Sequence, residues 1–221
     1  MTRTASAKVA GVAFLVYIAA GVTDMALRGQ TTAGADLAAR LAAVAAHPTQ
    51  VGILILLGLV QAFAAMALAV SLYGVTRHRD NELAVLGMAC RLVECVLVTA
   101  SVADLLAVRW LAGPGVASAH EPGAARMLAA HLLHGEVAFT ALFFAVGSLL
   151  FAWLLLRDRA IPALLAWTGL ISSLILVVGL PLQLVGVLRG PMAQWMWLPM
   201  AAFEIPLGFW FIARGVRERL P

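Results

Sequence analysis

Eight ionisable residues lie inside long apolar runs of this chain: Asp24, Arg91, Glu94, Asp104, His131, His134, Glu136 and Glu204. An Asp or Arg at the centre of a lipid-embedded helix costs about 2.5–3.5 kcal/mol, so such residues face a bundle interior or a wet cavity and need partners. Arg91 and Glu94 are three positions apart, share a helix face and can pair. Two readings of that pair stand. It is an internal ion pair that fastens its helix to its neighbours, or it is a charged wall of a cavity, with the arginine free to hold an anionic group or to govern protonation of Glu94. His131 and His134 repeat the three-residue spacing on the next apolar segment. That spacing offers two ligands to one divalent metal, with carboxylates from other helices completing the shell. Alternatively, His131 sits at the outer interface and only His134 is buried. Haem fits poorly, because bis-His ligation needs histidines on opposing helices, and His47, His78 and His120 fall in expected loops.

The elements that must position these groups follow from composition. Of 221 residues, 63% are hydrophobic and only 12% charged, too few polar groups to clothe a soluble domain of this size. The net charge of +4 does not indicate nucleic acid, since the basic residues are scattered between apolar runs. A spanning helix needs about 20 apolar residues. Six segments qualify, at roughly 8–27, 51–73, 83–111, 126–156, 163–188 and 195–213. The expected fold is therefore all-α, a single polytopic transmembrane bundle over residues 1–221. Turn and stop signals separate the segments: His47-Pro48, Gly113-Pro114-Gly115, Glu121-Pro122-Gly123, Ile161-Pro162 and Gly190-Pro191. The stretch 33–46, with Asp36 and Arg40 among alanines, reads as a short amphipathic helix on the membrane surface. Asp24 and Arg28 follow the first apolar core, which argues against a cleaved leader.

Orientation follows from Lys and Arg in short loops. With the N-terminus inside, Arg3, Lys8, Arg77, Arg79, Arg157, Arg159, Arg214, Arg217 and Arg219 fall on the cytoplasmic face. Arg28, Arg40, Arg109, Arg126 and Arg189 fall outside. Nine against five favours an inner-membrane protein with both termini in the cytoplasm, and it puts Trp110, Trp195 and Trp197 near the outer interface. Helical rise then places Asp104, His131, His134, Glu136 and Glu204 about 8–15 Å below the outer surface, with Glu94 deeper. A cavity opening outward would hydrate most of this set. Glycines 11, 21, 52, 58, 147 and 179 read as close-packing positions, and Gln61, Gln183, Ser101, Ser172 and Ser173 as interhelical hydrogen-bonding groups. Cys90 and Cys95, five apart on one helix, point in different directions and do not suit a disulfide.

Several short segments carry a resemblance. Cys90-Arg91-Leu92-Val93-Glu94, Leu133-His134 with Phe143-Phe144, and Phe203-Glu204 with Phe209-Trp210 and Gly215-Val216 resemble a bacterial family known as domain of unknown function family 4386. The opening Ala10-Gly11 with Asp24 and Arg28 is similar to that family's first helix. The resemblance implies a multipass membrane protein and no particular reaction. Carried over by position, it marks Asp24, Arg91, Glu94, His134 and Glu204 as the recurrent polar sites. The chain departs from the pattern where Asp24 replaces a glutamate and where Glu136 and Val137 replace an aromatic–glycine pair.

No nucleophile motif, phosphate loop or nucleotide fingerprint is present, which leaves three classes of function. One is a module that binds or transports a small lipophilic or ionic ligand through Arg91, Glu94, His134, Glu204 and Asp104. Another is a membrane enzyme whose acid–base or metal site, on His131 and His134, acts on a lipid-like substrate. The third is a scaffold whose polar residues only hold helices together.

Overall fold

The computed structural model describes residues 2–115, 122–134 and 137–216. Within them the chain forms nine α-helices: α1 (Arg3–Thr31), α2 (Leu37–Ala46), α3 (Pro48–Thr76), α4 (Asn81–Trp110), α5 (Pro122–His134), α6 (Val137–Arg157), α7 (Ala163–Leu184), α8 (Pro191–Trp195) and α9 (Leu198–Arg214). Six helical stretches are long and apolar enough to cross a membrane: Arg3–Thr31, Pro48–Thr76, Asn81–Gly113, Gly123–Arg157, Ala163–Leu184 and Pro191–Arg214. Five of them contain the expected spans and extend them by a few residues, whereas the helix from Ala163 ends at Leu184, short of the expected 188, because the chain leaves the helix at Val185 and Gly186 takes a positive φ of 75°. The fold is thus all-helical and multipass. The expected helix stop after α4 is present, where a short π-type turn at Leu111–Gly115 includes Gly113 in non-helical backbone (φ −92°, ψ −122°). The expectations that fall on Glu121, Glu136, Arg217 and Arg219 lie outside the described residues.

Two compact units can be distinguished. The first comprises residues 1–18, 63–95 and 137–221; the second, residues 19–62 and 96–136. In the first, α6 pairs with α7, and α7 with α9. Its core gathers Phe14, Leu68, Phe144, Phe151, Leu176, Phe203, Leu207 and Phe211. Small residues set the spacing, because without a hydrophobic drive between helices in lipid, close van der Waals approach must hold them. A Cβ on Gly11 would lie 2.6 Å from the Gly208 carbonyl of α9, so α1 and α9 touch backbone to backbone. On the face of α7, a Cβ at Gly169 would run into the Phe203 ring.

In the second unit Val44, Val51, Leu54, Leu105 and Val108 form a smaller core. Helix α2 belongs to it. Asp36 caps α2 by accepting from the Ala39 amide at 2.7 Å, as an N-cap aspartate should. Arg40, expected on a polar surface, instead donates to the carbonyls of Thr32 (3.0 Å) and Leu133 (2.8 Å), tying α2 to the chain after α1 and to α5. Close approach recurs here, since a Cβ on Gly58 would lie 2.5 Å from Val102 of α4. Gly21 and Gly52, by contrast, have ordinary room, so they are not tight packing positions.

Candidate functional site

The first unit buries its charges in one place. Arg91 and Glu94 on α4 are each only 1% exposed, and Arg91 Nη1 stands 2.9 Å from Glu94 Oε2. The close approach is an ion pair without hydrogen-bond alignment. Among the described residues Arg91 Nε, Nη1 and Nη2 meet no hydrogen-bond acceptor in good geometry. The other carboxylate oxygen, Glu94 Oε1, accepts from the Tyr17 hydroxyl of α1 at 2.6 Å.

Aromatic faces complete the seat of the guanidinium. Arg91 Cζ lies 4.9 Å from the centroid of Phe144 on α6 and 5.5 Å from that of Tyr17, within cation–π range of both rings. The Tyr17 and Phe144 rings are parallel, 6.4 Å apart, and Trp197 tilts against Phe144 at 6.1 Å. Such contacts replace part of the hydration that burial removes from the cation.

Helix register explains why these residues meet. Gly147, three residues after Phe144, gives room to the Arg91 stem, for a Cβ there would lie 3.0 Å from Arg91 Cγ and 3.1 Å from Cδ. Gly87, one turn before Arg91, gives similar room to the Phe151 ring, one turn beyond Gly147. A glycine on each helix thus makes room for a large side chain of the other, Gly147 for Arg91 and Gly87 for Phe151. Glu204 on α9 is buried, 5% exposed, and lies one turn from Gly208, where α9 meets α1. Arg91 and Glu94 both act on it electrostatically. Its Oε1 meets no hydrogen-bond donor among the described residues.

Of the residues expected in a site, Arg91, Glu94 and Glu204 therefore come together. Asp104 and His131 belong to the second unit and are exposed on α4 and α5. His134 ends α5, and its side chain is outside the described part of the structure. Asp24 accepts from Arg28 Nε at 2.7 Å within α1, a local pair one turn long. No group of three or more His, Cys, Asp or Glu side chains is placed to hold a metal ion among the described residues. Cys90 and Cys95 are not joined by a disulfide. Ser101 and Ser172 donate to carbonyls of their own helices, and Ser172 also reaches Met200 Sδ across to α9 at 3.8 Å.

Sequence reasoning missed Tyr17, and it assigned Trp197 to an interfacial belt. Trp197 instead packs inward against Phe144, whereas Trp110 and Trp195 are exposed. One signal for Tyr17 was available: it is one of only two tyrosines in the chain and sits mid-helix in an apolar run, where its hydroxyl must find a buried partner.

A family model described as a domain of unknown function (DUF4386) matches residues 9–215, and the chain belongs to that family. No curated protein and no solved structure matches it.

Proposed function

Because membership of this family carries no activity with it, we propose a function from the cluster itself: the protein binds, and moves within the membrane, a small ligand with a polar head and a lipophilic body. The observation that supports this is the unequal partnering of the buried charges. Glu94 has Arg91 and Tyr17, while the remaining Arg91 donors and Glu204 Oε1 lack hydrogen-bond partners among the described residues. Unpaired buried polar atoms are costly and persist where function requires them. A ligand with an acceptor for Arg91 and a donor for Glu204 would satisfy both. Its apolar body would suit Phe144 and Trp197. Short-chain amino and hydroxy carboxylates have this chemistry.

The loop charges support a bacterial inner-membrane location with both termini in the cytoplasm. On that reading Glu204 lies in the outer half of the bilayer, so the ligand enters through an outward-opening cavity. Glu204 and Glu94 then act as proton-exchange groups during transfer.

The test is uptake of a panel of short-chain amino and hydroxy carboxylates into proteoliposomes by wild type, Glu94→Gln and Glu204→Gln. The expected result is uptake of at least one compound by wild type and its loss in both variants, with thermal unfolding little changed in Glu204→Gln, which leaves the Arg91–Glu94 pair intact. Equal uptake by all three proteins would sink the reading.

A further inference from the structure

The polar cluster lies well inside the first unit, and a different feature marks that unit's end. Three helices of the unit finish on the same pattern, an arginine in the last turn or, for Arg77, just past it, stacked on an aromatic residue one turn earlier. Arg77 Cζ lies 5.9 Å from the Tyr73 ring centroid at the end of α3. Arg157 lies 5.7 Å from Trp153 at the end of α6, and Arg214 lies 5.4 Å from Trp210 at the end of α9. All three arginines are exposed.

These helix ends lie together. Arg3, at the start of α1, donates from Nε to the Val75 carbonyl of α3 at 3.0 Å and pairs with Asp158 after α6. Thr4 of α1 touches the position of Gly215 after α9, where a Cβ would lie 3.0 Å from Thr4 Cγ2. Start of α1 and ends of α3, α6 and α9 therefore form one end of the unit. Two of the nearby acids are engaged, Asp158 with Arg3, and Asp80 with the Leu83 amide at 3.2 Å and, at 4.0 Å, with Arg157, while Glu82 is exposed in the first turn of α4.

A lone arginine in a last helical turn only complements the helix dipole. Three at one end, each with its face on a ring, present something more. An aromatic ring covers the face of a guanidinium and leaves its N–H donors, which lie in the plane, pointing outward. Phosphate is the planar fork's natural acceptor. Tyrosine and tryptophan also favour the headgroup depth of a bilayer, where phosphodiesters lie.

We propose that this end of the first unit is a docking surface for anionic phospholipid headgroups, with Arg77, Arg157 and Arg214 as its phosphate ligands. The partner is lipid in the surrounding bilayer, and the surface works independently of the buried cluster.

The experiment titrates the purified full chain in detergent with phosphatidylglycerol and with phosphatidylcholine, and counts bound lipid by native mass spectrometry. Each basic residue near an anionic surface contributes about fivefold in affinity. Wild type is therefore expected to prefer phosphatidylglycerol by at least about fivefold, and each of Arg77→Gln, Arg157→Gln and Arg214→Gln to lose much of that preference. Raising salt from about 0.05 M to about 0.5 M should weaken the wild-type preference, because exposed charges are screened. Equal binding of the two lipids by wild type, or a preference untouched by salt and by all three substitutions, would overturn the proposal. So would full displacement of phosphatidylglycerol by inorganic phosphate at matched ionic strength, which would indicate a simple anion site. The salt titration needs no variant, so a substitution that impairs folding does not remove the test.

Discussion

Breaking the Arg91–Glu94 pair one side at a time should harm this protein far more than removing it whole. Both side chains are 1% exposed, so Arg91→Leu leaves Glu94 buried with the Tyr17 hydroxyl, and Glu94→Leu leaves Arg91 with aromatic faces and the electrostatic pull of Glu204 in place of a paired carboxylate. Removing one partner of a buried pair typically costs about 3–5 kcal/mol, whereas replacing both with apolar residues is near neutral. Thermal unfolding of the purified protein should show both single variants strongly destabilised and the double variant close to wild type. Additive losses would show that the residues do not act as a pair. The double variant also separates the scaffold reading from the binding reading, for a scaffold keeps its phenotype and a binding site loses its ligand. The pairing was legible from the three-residue spacing alone. The aromatic seat was not, because Tyr17, Phe144 and Trp197 come from three distant segments, and periodicity cannot say which apolar faces meet.

At the scale of elements, the glycines divide by what surrounds them. Gly147→Ala places a methyl about 3.0 Å from the Arg91 stem and 3.2 Å from the Gly87 carbonyl, so α4 and α6 must separate or Arg91 must shift. Overpacking of this kind costs about 1–3 kcal/mol. Gly29→Ala, near the end of α1, meets nothing within 4 Å and should stabilise its helix by up to about 1 kcal/mol. Unfolding midpoints of the two variants should therefore move in opposite directions. Sequence reading could name Gly147 as a packing position and could not distinguish it from Gly52, which has room. The distinction depends on the neighbouring helix.

The link between α3 and α4 offers a pH test outside the membrane. His78 is held below the usual imidazole value near 6.5, first by partial burial and then by the positive charge of Arg3, with Arg77 adding to it. A depressed histidine binds its proton more readily in the unfolded chain, so stability rises with pH through this range. Its unfavourable contribution is absent above about pH 6.5 and grows as pH falls below that value. Wild type should lose more stability than His78→Gln between neutral pH and about pH 5, since only wild type must charge this residue. Parallel pH profiles would contradict the assignment.

For the whole molecule, composition already required lipid, and the six apolar helices agree with that requirement. Segment lengths and turn signals located the helices to within a few residues, because a bilayer's thickness fixes the length of an apolar run. Grouping was harder to foresee. Depth alone placed Glu204, Asp104 and His131 at one level, yet Glu204 is buried with Arg91 and Glu94 while Asp104 and His131 are exposed in the other unit. Rotation about each helix axis decides this, and it is set by contacts such as Gly11 on Gly208 and Gly147 on Arg91. Whether the buried cluster receives a ligand is decided by calorimetric titration of the purified protein with the carboxylates taken up in proteoliposomes. Wild type should give saturable heat of binding, and Glu204→Gln at least about a tenfold weaker response, the loss of one charge-assisted hydrogen bond. Identical isotherms for the two proteins, both still folded, would contradict ligand binding at the cluster.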